Sequence, residues 1–416
     1  MLVVLEDMLA NAPREPGVCS ILVPMGPGFC SELVIAVVTM STDLYQTDVF
    51  VAGGGPAGLA AAIAARQQGL QAAVADYLRP PIDKACGEGL MPDSVAALEQ
   101  LGVDVEGYDH AAFRGIKFIG PDDCVSAEFP GGQAFGIRRT VLHRMLLDRA
   151  RELGVEMLWG SKVEGIEAGS VRFAGRSIQC KWVIGADGHN SSVRRWAGLD
   201  AGRDYGRRVG IRQHFALPPW SEFVEIYWGS NIQAYVTPVS AAEICVALIS
   251  KERLDSFSAG LTNFAVLAKR LRAGTCTSAV RGSATVSRRL QSVTRDRIAL
   301  VGEASGSVDA ITGGGLGMAF RQAAALGRAL AANDLSLYET AHRELAKLPH
   351  FMNRSMLLMD ASSWVRERAL RSLATQPRVF ARLLSVHVGE APLASFAVDG
   401  LFGFGWHFLH GGHRRA

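Results

Sequence analysis

Short apolar runs broken by glycine-rich segments dominate the chain, and the length of each run sets the element it predicts. Thr47-Asp48-Val49-Phe50-Val51-Ala52 reads as a short buried strand, and the alanine-rich stretch Leu59 to Arg66 as a helix. Gln71 to Ala75 predicts a second strand, closed by Asp76. Lys181-Trp182-Val183-Ile184 and Arg297-Ile298-Ala299-Leu300-Val301 predict two further buried strands, and a helix is expected from Met318 to Leu330. Between Val209 and Ile249 the period changes to two. Val209, Ile211, Gln213 and Phe215 alternate with Gly210, Arg212 and His214, and the runs 222–228, 234–238 and 243–249 follow, which predicts an antiparallel sheet. From Ser336 to Leu384 the period is helical, with Arg366, Arg368, Arg371, Arg378 and Arg382 among apolar residues. A solvated amphipathic face is expected there, and peripheral membrane contact is not favoured.

These patterns give an α/β fold. A Rossmann-like nucleotide-binding domain is expected over 47–110, 135–205 and 285–335. An inserted antiparallel-sheet domain takes 111–134 and 206–284, and a helical C-terminal region takes 336–416. Residues 1–46 read as a non-homologous, poorly ordered leader. Its apolar stretch from Val18 to Met40 is broken by Pro24, Gly26, Pro27 and Gly28 and charged by Glu32, so it does not read as a spanning helix. Glu6 and Asp7 make its start acidic, unlike a signal peptide, and Met40 is the expected functional start.

Composition narrows the class. The chain has 416 residues, 49% hydrophobic and 20% charged, which excludes a disordered or fibrous protein. Lys plus Arg number 43 against 40 for Asp plus Glu, a net charge of +3 that gives no case for nucleic acid. The 7 cysteines form no CxxC pair, so neither a disulfide framework nor a zinc site is expected, and a cytoplasmic location follows. His407, His410 and His413 lack a nearby Cys or carboxylate, so no metal is assigned to them. Gly, at 45 residues, clusters around Gly53, Gly87 and Gly313, where the candidate chemistry lies.

Gly53, Gly55 and Gly58 form GxGxxG between a strand and a helix, with Pro56 and Ala57 inside the motif. Gly53 permits the tight turn, Gly55 lets a pyrophosphate approach the backbone, and Gly58 lets the helix pack closely on the sheet. The helix N-terminus presents free N–H groups to phosphate. Asp76 stands where an acid meets the ribose hydroxyls of a dinucleotide. The run Gly313-Gly314-Gly315-Leu316-Gly317 opens a second helix, whose N–H groups suit a cofactor that becomes anionic on reduction.

Two later segments specify the dinucleotide. Gly185-Ala186-Asp187-Gly188 and Gly302-Glu303-Ala304-Ser305-Gly306 each follow a strand. With GxGxxG at the start, their order and spacing resemble the flavoprotein superfamily that joins aromatic hydroxylases of the para-hydroxybenzoate hydroxylase type to geranylgeranyl reductases. The resemblance spans about Asp48 to Leu330 and implies FAD as cofactor, with NAD(P)H as a transient reductant that has no Rossmann domain of its own. It implies that Gly53, Gly55 and Gly58 face the pyrophosphate and Asp76 the ribose. Arg139, in the RxxL segment Arg139-Thr140-Val141-Leu142, contacts FAD. Asp187 and Gly188 match the DG motif, which Ser191, Val193 and Arg194 continue, and Gly302 and Glu303 match the GD motif at the ribityl chain.

Three departures matter. The usual Asp is Glu303, whose extra methylene moves the carboxylate by about 1.5 Å. Gly306 and Ala310 replace the His and Pro usual in hydroxylases. Lys84-Ala85-Cys86-Gly87-Glu88-Gly89 resembles the cysteine-glycine loop of the reductases. Cys86 is therefore a candidate catalytic thiol, set against a reading as a small filler beside a turn, while Glu88 reads equally as an acid or a solvated loop charge. In this superfamily the antiparallel sheet covers the substrate. Tyr227, Trp228, Tyr235 and Pro238 are candidate wall residues of an apolar pocket, and Tyr235 is also a catalytic candidate. Each aromatic reads more readily as core packing. The activity favoured by the resemblance is a flavin monooxygenase that hydroxylates an apolar or aromatic small molecule through a C4a-hydroperoxide. A reductase or desaturase of an isoprenoid-like double bond is the alternative, and a non-catalytic flavin-binding protein the third.

Overall fold

The computed structural model describes residues 19–24, 30–35, 45–167 and 169–392. Two compact units divide the chain, Met1–Tyr45 and Gln46–Ala416. In the first, within the expected leader, strands Cys19–Pro24 and Cys30–Ile35 pair as an antiparallel hairpin. The tail histidines His407, His410 and His413 lie outside the described residues.

In the second unit an eight-stranded sheet has the order Glu156–Trp159, Ala72–Asp76, Tyr45–Ala52, Arg176–Gly185, Ser170–Phe173, Val163–Glu167, with Ile298–Leu300 pairing on Arg176–Gly185 and Thr294–Arg295 pairing on Ile298–Leu300. Strand Tyr45–Ala52 pairs in parallel with Ala72–Asp76, which pairs in parallel with Glu156–Trp159, and Arg176–Gly185 does so with Ile298–Leu300. Parallel neighbours need crossover connections, and helix Pro56–Gln67 supplies the first. Val49, Phe50 and Val51 are wholly buried, as expected of a strand covered on both faces. Helix Gly315–Ala331 lies against helix Pro56–Gln67, and a β-carbon at Gly327 would sit 2.9 Å from the Ala64 carbonyl oxygen.

A second eight-stranded sheet runs Thr275–Cys276, Gly202–Ala216, Glu243–Ser250, Ile232–Ser240, Phe223–Trp228, Gly115–Ile119, Cys124–Glu128, with Arg281–Leu290 pairing on Gly202–Ala216. Its strand pairs are antiparallel except Phe223–Trp228 with Gly115–Ile119. The inserted sheet predicted from the alternation is therefore present, and its longest strands extend a few residues beyond 206–284. Side chains point alternately to its two faces. Ile226, Trp228 and Tyr235 join a core with Leu370, Leu373, Phe380 and Leu384 of the C-terminal helices Ser363–Thr375 and Pro377–His387. Tyr227, Ala234 and Val236 face the other way, against Phe257, Leu267 and Leu271 of two short helices.

A buried ion cluster ties the sheet to the helical region. Arg208 Nε donates to Asp309 Oδ2 at 2.7 Å and Nη2 to Asp360 Oδ2 at 2.6 Å, and Lys251 Nζ meets the same Asp360 oxygen at 2.8 Å. Asp309 also caps the turn Ala310–Thr312, accepting from the Ile311 N–H, just before the Gly313 run. Among the described residues, no helix is long and apolar enough to cross a membrane.

Candidate functional site

The three glycine-bearing motifs converge at the ends of the parallel strands. Gly53 has φ +111°, and its α-carbon lies against the Ala186 carbonyl, so a side chain there would meet the backbone of the DG segment. Gly58 packs on Gly53, and its β-position is 3.2 Å from Ala186 Cβ. Gly302, at φ +63°, presents its β-position 2.6 Å from Ala57 Cβ, and Gly188 presents its own 3.9 Å from Glu303 Oε2. The first, middle and last thirds of the chain thus meet around one turn.

That turn is held open towards a ligand. The β-positions of Gly55, Gly87, Gly313, Gly314 and Gly315 have nothing within 4 Å. Helices Pro56–Gln67 and Gly315–Ala331 both start without a capping side chain, so their first N–H groups stay free. Asp76 Oδ2 accepts from the Gly54 N–H at 2.7 Å and Oδ1 from the Leu78 N–H at 2.8 Å, which leaves a lone pair on each oxygen for ribose hydroxyls. Asp187 Oδ2 accepts from the Ser192 and Val193 N–H groups at 2.7 and 3.2 Å, while its buried Oδ1 has no partner. Arg139 heads helix Arg139–Glu152, and its buried Nε also lacks a partner. Orphaned buried groups of both signs beside open glycine backbone fit a dinucleotide with a pyrophosphate and a polyhydroxylated chain. The residues present therefore fit FAD.

Charge is arranged around the same space. Burial opposes ionisation of Glu303, but Lys84, 2.6 Å away, together with Arg139 and His189, outweighs it and holds the carboxyl below its usual range. Arg194 is buried with Nε on Asp200 at 2.6 Å, Nη1 donating to Ala304 O at 3.2 Å and Nη2 to His189 O at 3.0 Å. It locks the DG segment to the segment after Gly302. His143 was not foreseen from sequence. It is buried, its Nε2 donates to Gly54 O at 2.9 Å, and burial lowers its pKa, so it supports the phosphate-binding turn as a neutral ring. Its i+4 place after Arg139 was the available signal.

The Cys86 loop lies beside this site through Lys84. Cys86 is half-buried, and burial pushes its thiol pKa up, with the Glu88 carboxylate adding to the rise and Arg139, the Glu88 N–H and Arg212 opposing it. At neutral pH the thiol keeps its proton. Glu88 is not a solvated charge but is 2% exposed. It bonds His214 Nε2 at 2.6 Å.

The remaining candidates sit in the core. Trp228 packs edge-on to Phe118, 5.8 Å between centroids. Tyr227 donates to Glu225 Oε2 at 2.7 Å. Tyr235 donates to Ile311 O at 2.8 Å, which uses the hydroxyl that a catalytic role would need. Pro238 approaches Gly136 through its carbonyl. The core-packing reading of the aromatics is the one the geometry favours.

Residues 46–347 match the FAD binding domain family. A menaquinone reductase of Mycobacterium tuberculosis is 33% identical over 190 residues, 42% of this chain and 47% of that protein, so the match spans about half the length of that relative. A digeranylgeranylglycerophospholipid reductase of Methanosarcina acetivorans is 26% identical over 368 residues, covering 80% of this chain and 88% of that one. A 12-dehydrotetracycline 5-monooxygenase/anhydrotetracycline 6-monooxygenase of Streptomyces rimosus is 30% identical over 166 residues, 37% of this chain and 33% of its own length. Among solved structures, a flavoprotein/dehydrogenase of Cytophaga hutchinsonii superposes with a TM-score of 0.72 at 19% identity, covering 83% of this chain and 93% of that one. That last likeness concerns the fold.

Proposed function

Because the chain belongs to the FAD binding domain family and is an FAD-dependent oxidoreductase, we propose that it reduces an isoprenoid-like double bond or ring of a hydrophobic small molecule. The observation that carries this reading is the Lys84–Gly89 loop, which sets Cys86 beside the Glu303 segment through the Lys84–Glu303 contact, where burial pushes the thiol pKa up. Saturating a double bond takes a hydride and a proton. Bound FAD, reduced by NADH or NADPH that docks transiently, supplies the hydride chemistry. The thiol S–H would give the proton to the second carbon, leaving a thiolate that is reprotonated from solvent. The Arg139 and Arg212 guanidiniums stabilise the negative charge that remains. Gly53, Gly55, Gly58, Asp76, Arg139, Asp187 and Glu303 would hold the cofactor. The N–H groups opening helix Gly315–Ala331 would stabilise negative charge on it.

Two relatives with reductase names support this, one of them across four-fifths of the chain. Oxygenation of an aromatic or apolar molecule is the second reading, supported by the likeness to the Streptomyces monooxygenase. In that reading Cys86 has no proton to deliver. Anaerobic stopped-flow absorbance of photoreduced holoenzyme distinguishes the two. Reoxidation by a geranylgeranyl lipid without O₂ supports reduction. Reoxidation by O₂ alone, with oxygen built into an aromatic substrate, overturns it.

A further inference from the structure

Glu88 has a position that its place in a glycine-rich loop does not explain. It is 2% exposed and takes φ 60°, the left-handed region that a residue with a β-carbon enters only at a cost. Such strain persists where surrounding contacts over-determine it. Every polar group of the residue is engaged. Its N–H donates to Cys86 Sγ at 3.4 Å, and its carbonyl accepts from the Ile137 N–H at 2.9 Å. Oε1 accepts from the Arg139 N–H at 2.9 Å and lies 3.5 Å from Arg212 Nε. Oε2 meets His214 Nε2 at 2.6 Å, and His214 Nδ1 in turn meets Ser278 Oγ at 2.9 Å. One side chain therefore joins the Cys86 loop, the head of helix Arg139–Glu152 and strand Gly202–Ala216 of the antiparallel sheet.

Glu88, His214 and Cys245 also place three ligand atoms within 4.8 Å of one another. A cation is disfavoured there, because Arg212 approaches Glu88 and Arg139 carries charge beside the same loop, and like charges repel strongly at low dielectric. The cluster instead satisfies itself. Arg212 is further fixed by Asp83, which also meets Arg281 at 3.3 Å.

We propose that Glu88 is the positioning residue of the Cys86 thiol: its carboxylate, held by His214 and the Arg139 N–H, fixes the loop between cofactor domain and sheet, and its own N–H, donated to Cys86 Sγ, sets the thiol's place in that loop. This rests on the role given to Cys86 above, but it is tested without substrate, so the two can fail separately. The groups facing the thiol are Glu88 from its own loop, Arg139 from the helix, and Arg212 and Cys245 from the sheet. Replacing Glu88→Gln keeps an acceptor for the Arg139 N–H and removes the negative charge, so the two arginines then pull the thiol towards thiolate.

The experiment is peptide-resolved iodoacetamide alkylation of Cys86 in FAD-loaded enzyme, followed by mass spectrometry across pH 7 to 10. E88Q is expected to alkylate Cys86 about tenfold faster at pH 8, with its midpoint about one pH unit lower and FAD content unchanged. H214Q, which cuts the same contact from the sheet side, is expected to speed alkylation by releasing the loop, and it carries the test if E88Q does not retain FAD. Native alkylation rates in the folded variants overturn the proposal, as does stoichiometric zinc in the purified native enzyme.

Discussion

Lys84 Nζ lies 2.6 Å from Glu303 Oε2, which joins the cysteine loop to the segment after Gly302 across 219 residues of chain. The contact gives the longer Glu303 side chain a partner that the usual Asp, one methylene shorter, would struggle to reach. Both groups are more than one-third exposed, so the pair adds only about 0–1 kcal/mol of stability. Lys84→Met is therefore expected to leave the melting temperature almost unchanged while raising the Glu303 pKa. Glu303→Ala is expected to weaken FAD retention clearly and Glu303→Asp less so, read from flavin absorbance per protein after gel filtration.

Asp76 anchors the turn after Gly53, since its Oδ2 accepts from the Gly54 N–H, and is the expected contact of the ribose. Asp76→Ala removes a charged acceptor worth about 1.5–3 kcal/mol. FAD affinity is expected to fall by about tenfold or more, with Asp76→Asn intermediate. Titration of apoprotein with FAD by flavin fluorescence checks this, and equal affinities would contradict it.

The hydroxyl of Tyr235 is committed to Ile311 O. Tyr235→Phe is expected to cost about 1 kcal/mol in urea unfolding, within the usual range for a lost buried hydrogen bond, and to leave kcat within about twofold. A large loss of kcat at unchanged stability would restore Tyr235 as a catalytic residue.

His342 gives the fold a pH dependence. It is held mainly by burial at a pKa of about 4, below its ordinary 6.5, with Nε2 3.0 Å from Ser305 Oγ. Above pH 6.5 neither folded nor unfolded chain binds a proton there. Between 6.5 and about 4 only the unfolded chain does, so stability is lost as pH falls through that window and levels off below it. The full shift corresponds to about 3 kcal/mol. His342→Gln is expected to remove this part of the acid-side slope in urea midpoints from pH 7 to 4.5.

Much of the cofactor site was legible because each motif is local. Gly53 to Gly58, Asp187–Gly188 and Gly302–Glu303 each sit where a strand ends, and short strands and alanine-rich helices are readable from period and composition. The antiparallel sheet was legible by its alternation, which places Tyr227 on one face and Trp228 on the other. What was not legible depends on contacts distant in sequence. Glu88 looked as much like a loop charge as an acid because its partner His214 is 126 residues away. Alternation also cannot say what covers a face, so Trp228 and Tyr235, offered as pocket wall, prove to pack under the C-terminal helices.

The most direct measurement is the mass of the product formed in a single turnover. Holoenzyme reduced anaerobically with NADPH is mixed with one equivalent of a geranylgeranyl lipid, quenched, and analysed by mass spectrometry, with a parallel sample in air. Addition of two hydrogens, about 2 Da, without O₂ and lost in Cys86→Ala, is the expected result. No product without O₂ and a gain of about 16 Da in air would contradict it and assign oxygenation.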